Sequence, residues 1–135
     1  MSTWRRKGLE LFYDSRHSFN GKDDTIYTLM VQLRSRVEDA HRENDSAELD
    51  KIYGYVEWCF NQQKRCFDLC NAAAVGFYEH LVEEEITRLA IPHRVPPDIF
   101  GQVQSLFEWM LQRDVEKYKE LVLEYNRVNH TEFEC

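Results

Sequence analysis

Residues 71–81 read NAAAVGFYEHL, and how this stretch packs decides the fold. At 100° per residue, Phe67, Cys70, Ala74, Phe77, Tyr78, Leu81 and Val82 fall in one wide arc, with Asp68, Ala72, Glu79 and Glu83 opposite. Three consecutive alanines and Gly76 leave little side-chain bulk, so neighbouring backbones can come close. Gly76 costs about 1 kcal/mol against alanine in a helix interior, which close packing offsets. The pattern predicts a central core helix from about Cys66 or Asp68 to Glu85, with His80 at the edge of its apolar arc.

Similar stripes lie on either side. Ile26, Leu29, Met30, Leu33, Val37 and Ala40 step by three and four residues, after a turn at SFNGKDD that offers Asp23 or Asp24 as a cap. RENDS (42–46) ends that helix. Leu49, Ile52, Tyr53, Val56, Cys59 and Phe60 form the next face, closed by NQQKR (61–65). Beyond the central helix a short turn runs through ITRLAI, and IPHRVPP holds all three prolines. Pro97 suits the first turn of a helix that buries Ile99, Val103, Leu106 and Met110. Gln112 to Asp114 make a turn before a last helix with Tyr118, Leu121, Val122 and Tyr125 inward.

The expected fold is therefore all-α, with about five helices in an antiparallel bundle or a short, HEAT-like stack of helical hairpins. Residues 1–23 read as a basic N-terminal arm, 24–128 as a single helical domain and 129–135 (NHTEFEC) as a frayed C-terminal tail. YVEWCF (55–60) and LFEWML (106–111) align 51 residues apart, the pattern of a duplicated hairpin. Chance similarity of two amphipathic helices explains it equally well.

The 135 residues carry a formal charge of −7, with a local +3 over residues 1–22 and −10 over the rest. A body this acidic repels a phosphate backbone, so nucleic acid is not an expected partner. No apolar run approaches the ~20 residues that span a bilayer, and no membrane partner is expected. The N-terminus lacks the apolar core of a secretion signal. A cytoplasmic location follows, with Cys59, Cys66, Cys70 and Cys135 as free thiols.

Several constellations are candidates for chemistry. His80 and Glu84, four apart, can meet on one helix face. A zinc-protease helix needs a second histidine, and a di-iron bundle needs Glu three residues before the histidine, where Phe77 stands. Cys59, Cys66 and Cys70 with His80 would make a tetrahedral zinc set, but buried cysteines on an apolar face are ordinarily inert packing. No catalytic, cofactor or metal residues are assigned. On the second helix, Lys51, Tyr55 and Trp58 lie away from the core stripe and form a candidate interaction patch. Cover by the N-terminal arm or the last helix, or a dimer interface, are the alternatives.

YVEWC, NAAAVGFYEHL and PPDIFGQVQSLFEWML together resemble a family of small bacterial proteins with a domain of unknown function. Its members show Y-x-E-W, N-A-x-x-x-x-F-Y-E-H-L and L-F-E-W runs in this order, and the likeness covers about residues 49–111. It implies an all-α fold and a bacterial, cytoplasmic origin, and it brings no assigned activity. The motif singles out Glu57, Trp58, Asn71 and the run Phe77 to Leu81. Of these, Glu57, Asn71 and His80 are expected to act as a buried polar lock between the second and third helices. The expected role is a non-catalytic protein-interaction or adaptor module, its partner an unknown protein or a second copy of the chain. The alternatives are an immunity protein neutralising a basic toxin domain, and a metal protein or enzyme centred on His80 with Glu84 and nearby cysteines.

Overall fold

The computed structural model describes residues 2–19 and 24–135, so most of the SFNGKDD turn, with Asp23, lies outside the described residues. The fold is all-α: among the described residues there are eight helices and no strand. That exceeds the expected five or so. The N-terminal segment forms a helix of its own, the region from Glu85 to Arg94 forms two single-turn helices, and the central helix is broken. The chain divides into two compact units, Met1–Phe77 and Tyr78–Cys135.

The first unit contains α1 (Thr3–Leu11), a 3-10 segment (Tyr13–Phe19), α2 (Ile26–Arg42), α3 (Ser46–Phe60) and α4 (Phe67–Gly76). The stripes on α2 and α3 are buried as their spacing predicts. Thr25, not an aspartate, caps α2: its side chain accepts from the Tyr27 N–H, and its own N–H donates to Thr28 Oγ1. At the other end Asn44 takes a left-handed φ of 52°. There its N–H bonds the His41 carbonyl and that of Asp45 bonds the Ala40 carbonyl, which closes α2 and starts α3. Asp45 then caps α3 by accepting from the Glu48 N–H.

α4 packs against both α2 and α3. Its buried residues are Leu69, Cys70, Ala72 and Ala73, whereas Phe67 is exposed and Ala74 is half-buried. The single arc expected for this helix is therefore wrong at Phe67, Ala72 and Ala74. A helix of small residues squeezed between two neighbours has two packed sides, and a one-face pattern cannot describe it. Gly76 allows the closest approach: a Cβ there would lie 3.0 Å from the Cβ of Met30.

The chain leaves helical geometry at Phe77 (φ −128°, ψ −67°). Phe77 is fully buried in the first unit, edge-on to Tyr53 with ring centroids 5.9 Å apart. Tyr78–Val82 then forms a 3-10 turn at the start of the second unit, so the predicted helix to Glu85 does not exist.

The second unit continues with α5 (Glu85–Arg88), α6 (Ile91–Arg94), α7 (Pro97–Met110) and α8 (Val115–Asn129). α7 begins at Pro97 as expected, but buries Ile99, Phe100, Val103 and Phe107, leaving Leu106 and Met110 half-buried. The two phenylalanines take the inner positions because Phe100 stacks on Tyr125 of α8, centroids 3.7 Å apart. α8 buries the four residues its spacing predicts. The NHTEFEC segment, expected to fray, is instead tied to α7 and α8: Gln104 donates to the Glu134 carbonyl, Asn126 donates to the Phe133 carbonyl, and the Phe133 N–H donates back to Asn126. Among the described residues no helix is long and apolar enough to cross a membrane.

Candidate functional site

Lys51, Tyr55 and Trp58 lie under α1. Tyr55 is 2% exposed and its hydroxyl donates to the Trp4 carbonyl at 2.7 Å. Gly8 faces it, with room for a Cβ only 3.3 Å from the Tyr55 hydroxyl and 3.1 Å from Leu29. Trp58 is half-buried, stacks on Tyr55 at 6.1 Å, and has the Lys7 ammonium 5.2 Å from its ring centroid. Lys51 remains exposed and donates to the Leu11 carbonyl. The N-terminal segment thus covers Tyr55 and part of Trp58 and leaves Lys51 exposed, because α1 offers this face a backbone acceptor, an ammonium and a glycine gap. Burial pushes the Tyr55 phenol well above the ordinary tyrosine range.

His80 is placed by the 3-10 turn. Residues i and i+3 eclipse in that geometry, so its Nδ1 meets Glu83 Oε1 at 2.6 Å rather than Glu84, the partner an α-helix would give. Glu79 Oε1 lies 3.8 Å from the other ring nitrogen. Glu84 is exposed and starts α5. Asn71 is half-buried and donates to the Tyr27 hydroxyl at 2.8 Å, joining α4 to α2, and Glu57 is half-buried on α3.

Cys59 and Cys70 are buried and Cys66 and Cys135 exposed, all as free thiols. Burial pushes the Cys59 thiol up to about 12 and raises Cys70 as well, which disfavours the thiolate that a metal or an electrophile requires. Among the described residues no three His, Cys, Asp or Glu side chains come together as metal ligands.

Two surface features were not read from the sequence. In the first unit, Arg36 bonds Glu48 through Nε (3.0 Å) and Nη2 (2.5 Å), and Asp14 (3.1 Å) and Ser15 (2.7 Å) through Nη1. Its guanidinium also lies over the Phe12 ring. The hydrogen bond from Arg36 holds the Asp14 carboxyl below the usual carboxylate range. Asp39, Glu43 and Asp45 join these groups around a cleft of about 360 Å³ with an acidic rim. The signal was hidden because Asp14, Arg36 and Glu48 sit on three separate elements.

In the second unit, α5, α6 and α8 border a groove of about 530 Å³. Leu89 and Leu123, 61% and 64% exposed, lie in its lining with Pro92 and Leu121. Arg88, Lys117 and Arg127 alternate there with Glu85, Glu120 and Glu124, three charges of each sign. Leu123 and Leu89 fall outside any helical stripe, and that is the only mark the sequence carries of them.

The family described as "Domain of unknown function (DUF7674)" matches residues 7–112, and the chain belongs to it. No curated protein and no solved structure matches the chain.

Proposed function

We propose that this member of the DUF7674 family is a protein-interaction module that engages its partner through the groove bordered by α5, α6 and α8. The observation that carries this reading is the pair of exposed leucines, Leu89 and Leu123, in a concave lining ringed by balanced charges. An apolar centre with a polar rim is the anatomy of a protein interface. The partner is another protein or a second copy of the chain; three positive and three negative groups suit a self-complementary contact. A purified chain carrying Leu123→Glu should keep its thermal midpoint, since the side chain is already solvated. Where the parent chain captures a partner on purification, or runs as a dimer in light scattering, the variant should do neither. Retention of either by the folded variant would refute the reading.

The acidic cleft around Arg36 favours a second reading, in which the chain neutralises a basic protein domain as an immunity protein does. Asp14, Asp39, Glu43, Asp45 and Glu48 concentrate negative charge on one surface, and opposite charge speeds encounter and falls off with salt. A toxin gene adjoining this one, and an association rate that drops steeply with salt, would support it. Association indifferent to salt would exclude it.

A further inference from the structure

Asn126 is bonded more heavily than any position in α8 needs for helix stability. Its side-chain Nδ2 donates to the Phe133 carbonyl at 2.9 Å, and its Oδ1 accepts from the N–H of the same residue at 2.9 Å. Both backbone groups of one residue are thus read by one amide side chain. Oδ1 also accepts from the Thr131 hydroxyl, while Gln104 of α7 donates to the Glu134 carbonyl. The Phe133 ring lies against Phe100 (5.0 Å) and Tyr125 (5.8 Å). Gly101 makes the room: a Cβ there would stand 3.2 Å from Phe133 Cε1. Phe133 is half-buried, and Glu132 and Glu134 on either side of it are exposed.

We propose that the α7–α8 face around Asn126 is a peptide-reading seat, filled in this chain by its own Phe133, and that a phenylalanine-bearing peptide segment of a partner protein takes it by displacing that residue. The recognition chemistry does not depend on the connection to α8. Apart from the Thr131 hydroxyl, and the Thr131 N–H that closes the end of α8 on the Asn126 carbonyl, the contacts go to the backbone of residues 133 and 134 and to one aromatic ring, so any non-helical segment with phenylalanine in that register can supply them. The link between α8 and the seated residue is short. It begins at His130, whose φ of 55° is left-handed in a non-glycine residue, and a rotation there would swing the segment out. The seat itself is held by the core of the second unit, through Phe100, Val103, Val122 and Tyr125, and so outlasts its occupant. An occupant tethered in cis competes at high effective concentration, which makes it a threshold that a partner's segment must exceed. The seat is separate from the groove lined by Leu89 and Leu123, so either can fail without the other.

The test uses the full chain carrying Phe133→Ala and a labelled, end-capped peptide of residues 130–135 with serine in place of Cys135. The variant should bind the peptide saturably, and the parent chain at least tenfold more weakly. A peptide with alanine in the phenylalanine position should not bind, and adding Asn126→Ala to the variant should weaken binding at least tenfold. A variant with native circular dichroism and no saturable binding would overturn the proposal. Amide exchange on the parent chain decides it independently of how the variant folds. The Phe133 N–H should exchange faster than the core amide of Val122, and exchange of both at one rate, by global unfolding only, would equally overturn it.

Discussion

Trp58→Ala separates the two roles this tryptophan can have. An exposed partner-binding residue could be removed at almost no expense in stability. In the structure the indole is half-buried, stacks on Tyr55 and carries the Lys7 ammonium. About 100 Å² of aromatic surface leaving a partly covered site, at about 25 cal/mol per Å², is about 2.5 kcal/mol. Loss of the stack and of a solvent-exposed cation–π contact adds roughly 0.5–1 kcal/mol. The expected loss is about 3 kcal/mol, which for a chain of this size lowers the thermal midpoint by about 10 °C. Calorimetry or urea unfolding monitored by circular dichroism measures it. Trp58→Phe, which keeps a ring on Tyr55, should recover at least half. If Trp58→Ala moves the midpoint by less than about 2 °C, α1 does not hold this face and the account of the covered patch fails.

The glycines make an opposed pair: Gly54 lies mid-α3 with no atom near its missing Cβ, so Gly54→Ala should stabilise by about 0.5–1 kcal/mol, read in the same urea experiment. Gly76→Ala meets the Met30 Cβ at 3.0 Å and should destabilise by about 1 kcal/mol or more despite the better helix former. Native protein titrated with a thiol reagent near pH 8 should show two fast thiols, Cys66 and Cys135. Cys59, with its thiol pushed up to about 12, is roughly 10⁻⁴ ionised there and should react only after unfolding.

How much of this was legible depended on whether a helix had one face to read. α2 buries one stripe and α3 buries its own along with Tyr55 under α1, and Leu29, Leu33, Ile52 and Val56 declare the stripes by spacing alone. α4 could not be read that way, because Ala72 and Ala73 are inside on a helix packed on two sides, and the break at Phe77 has no proline to announce it. The N-terminal segment hid its helix because its anchors are contextual: Gly8 means nothing until Tyr55 stands against it. Helical spacing paired His80 with Glu84, and a tighter turn gave it Glu83. Arg36 gathers Asp14, Ser15 and Glu48 from distant positions, and no local pattern records that. The seat for Phe133 left one legible trace, a single aromatic residue in the otherwise polar NHTEFEC.

The bond from Tyr55 to Trp4 spans 51 residues of chain. During synthesis at about 5–20 residues per second, Trp4 therefore emerges roughly 3–10 s before the hydroxyl that will hold its backbone. A nine-residue helix has no stability of its own over such an interval. α1 therefore waits for α3 although it is made before it, and a nascent chain stalled short of residue 55 presents Trp4 and Phe12 to whatever chaperone waits at the ribosome.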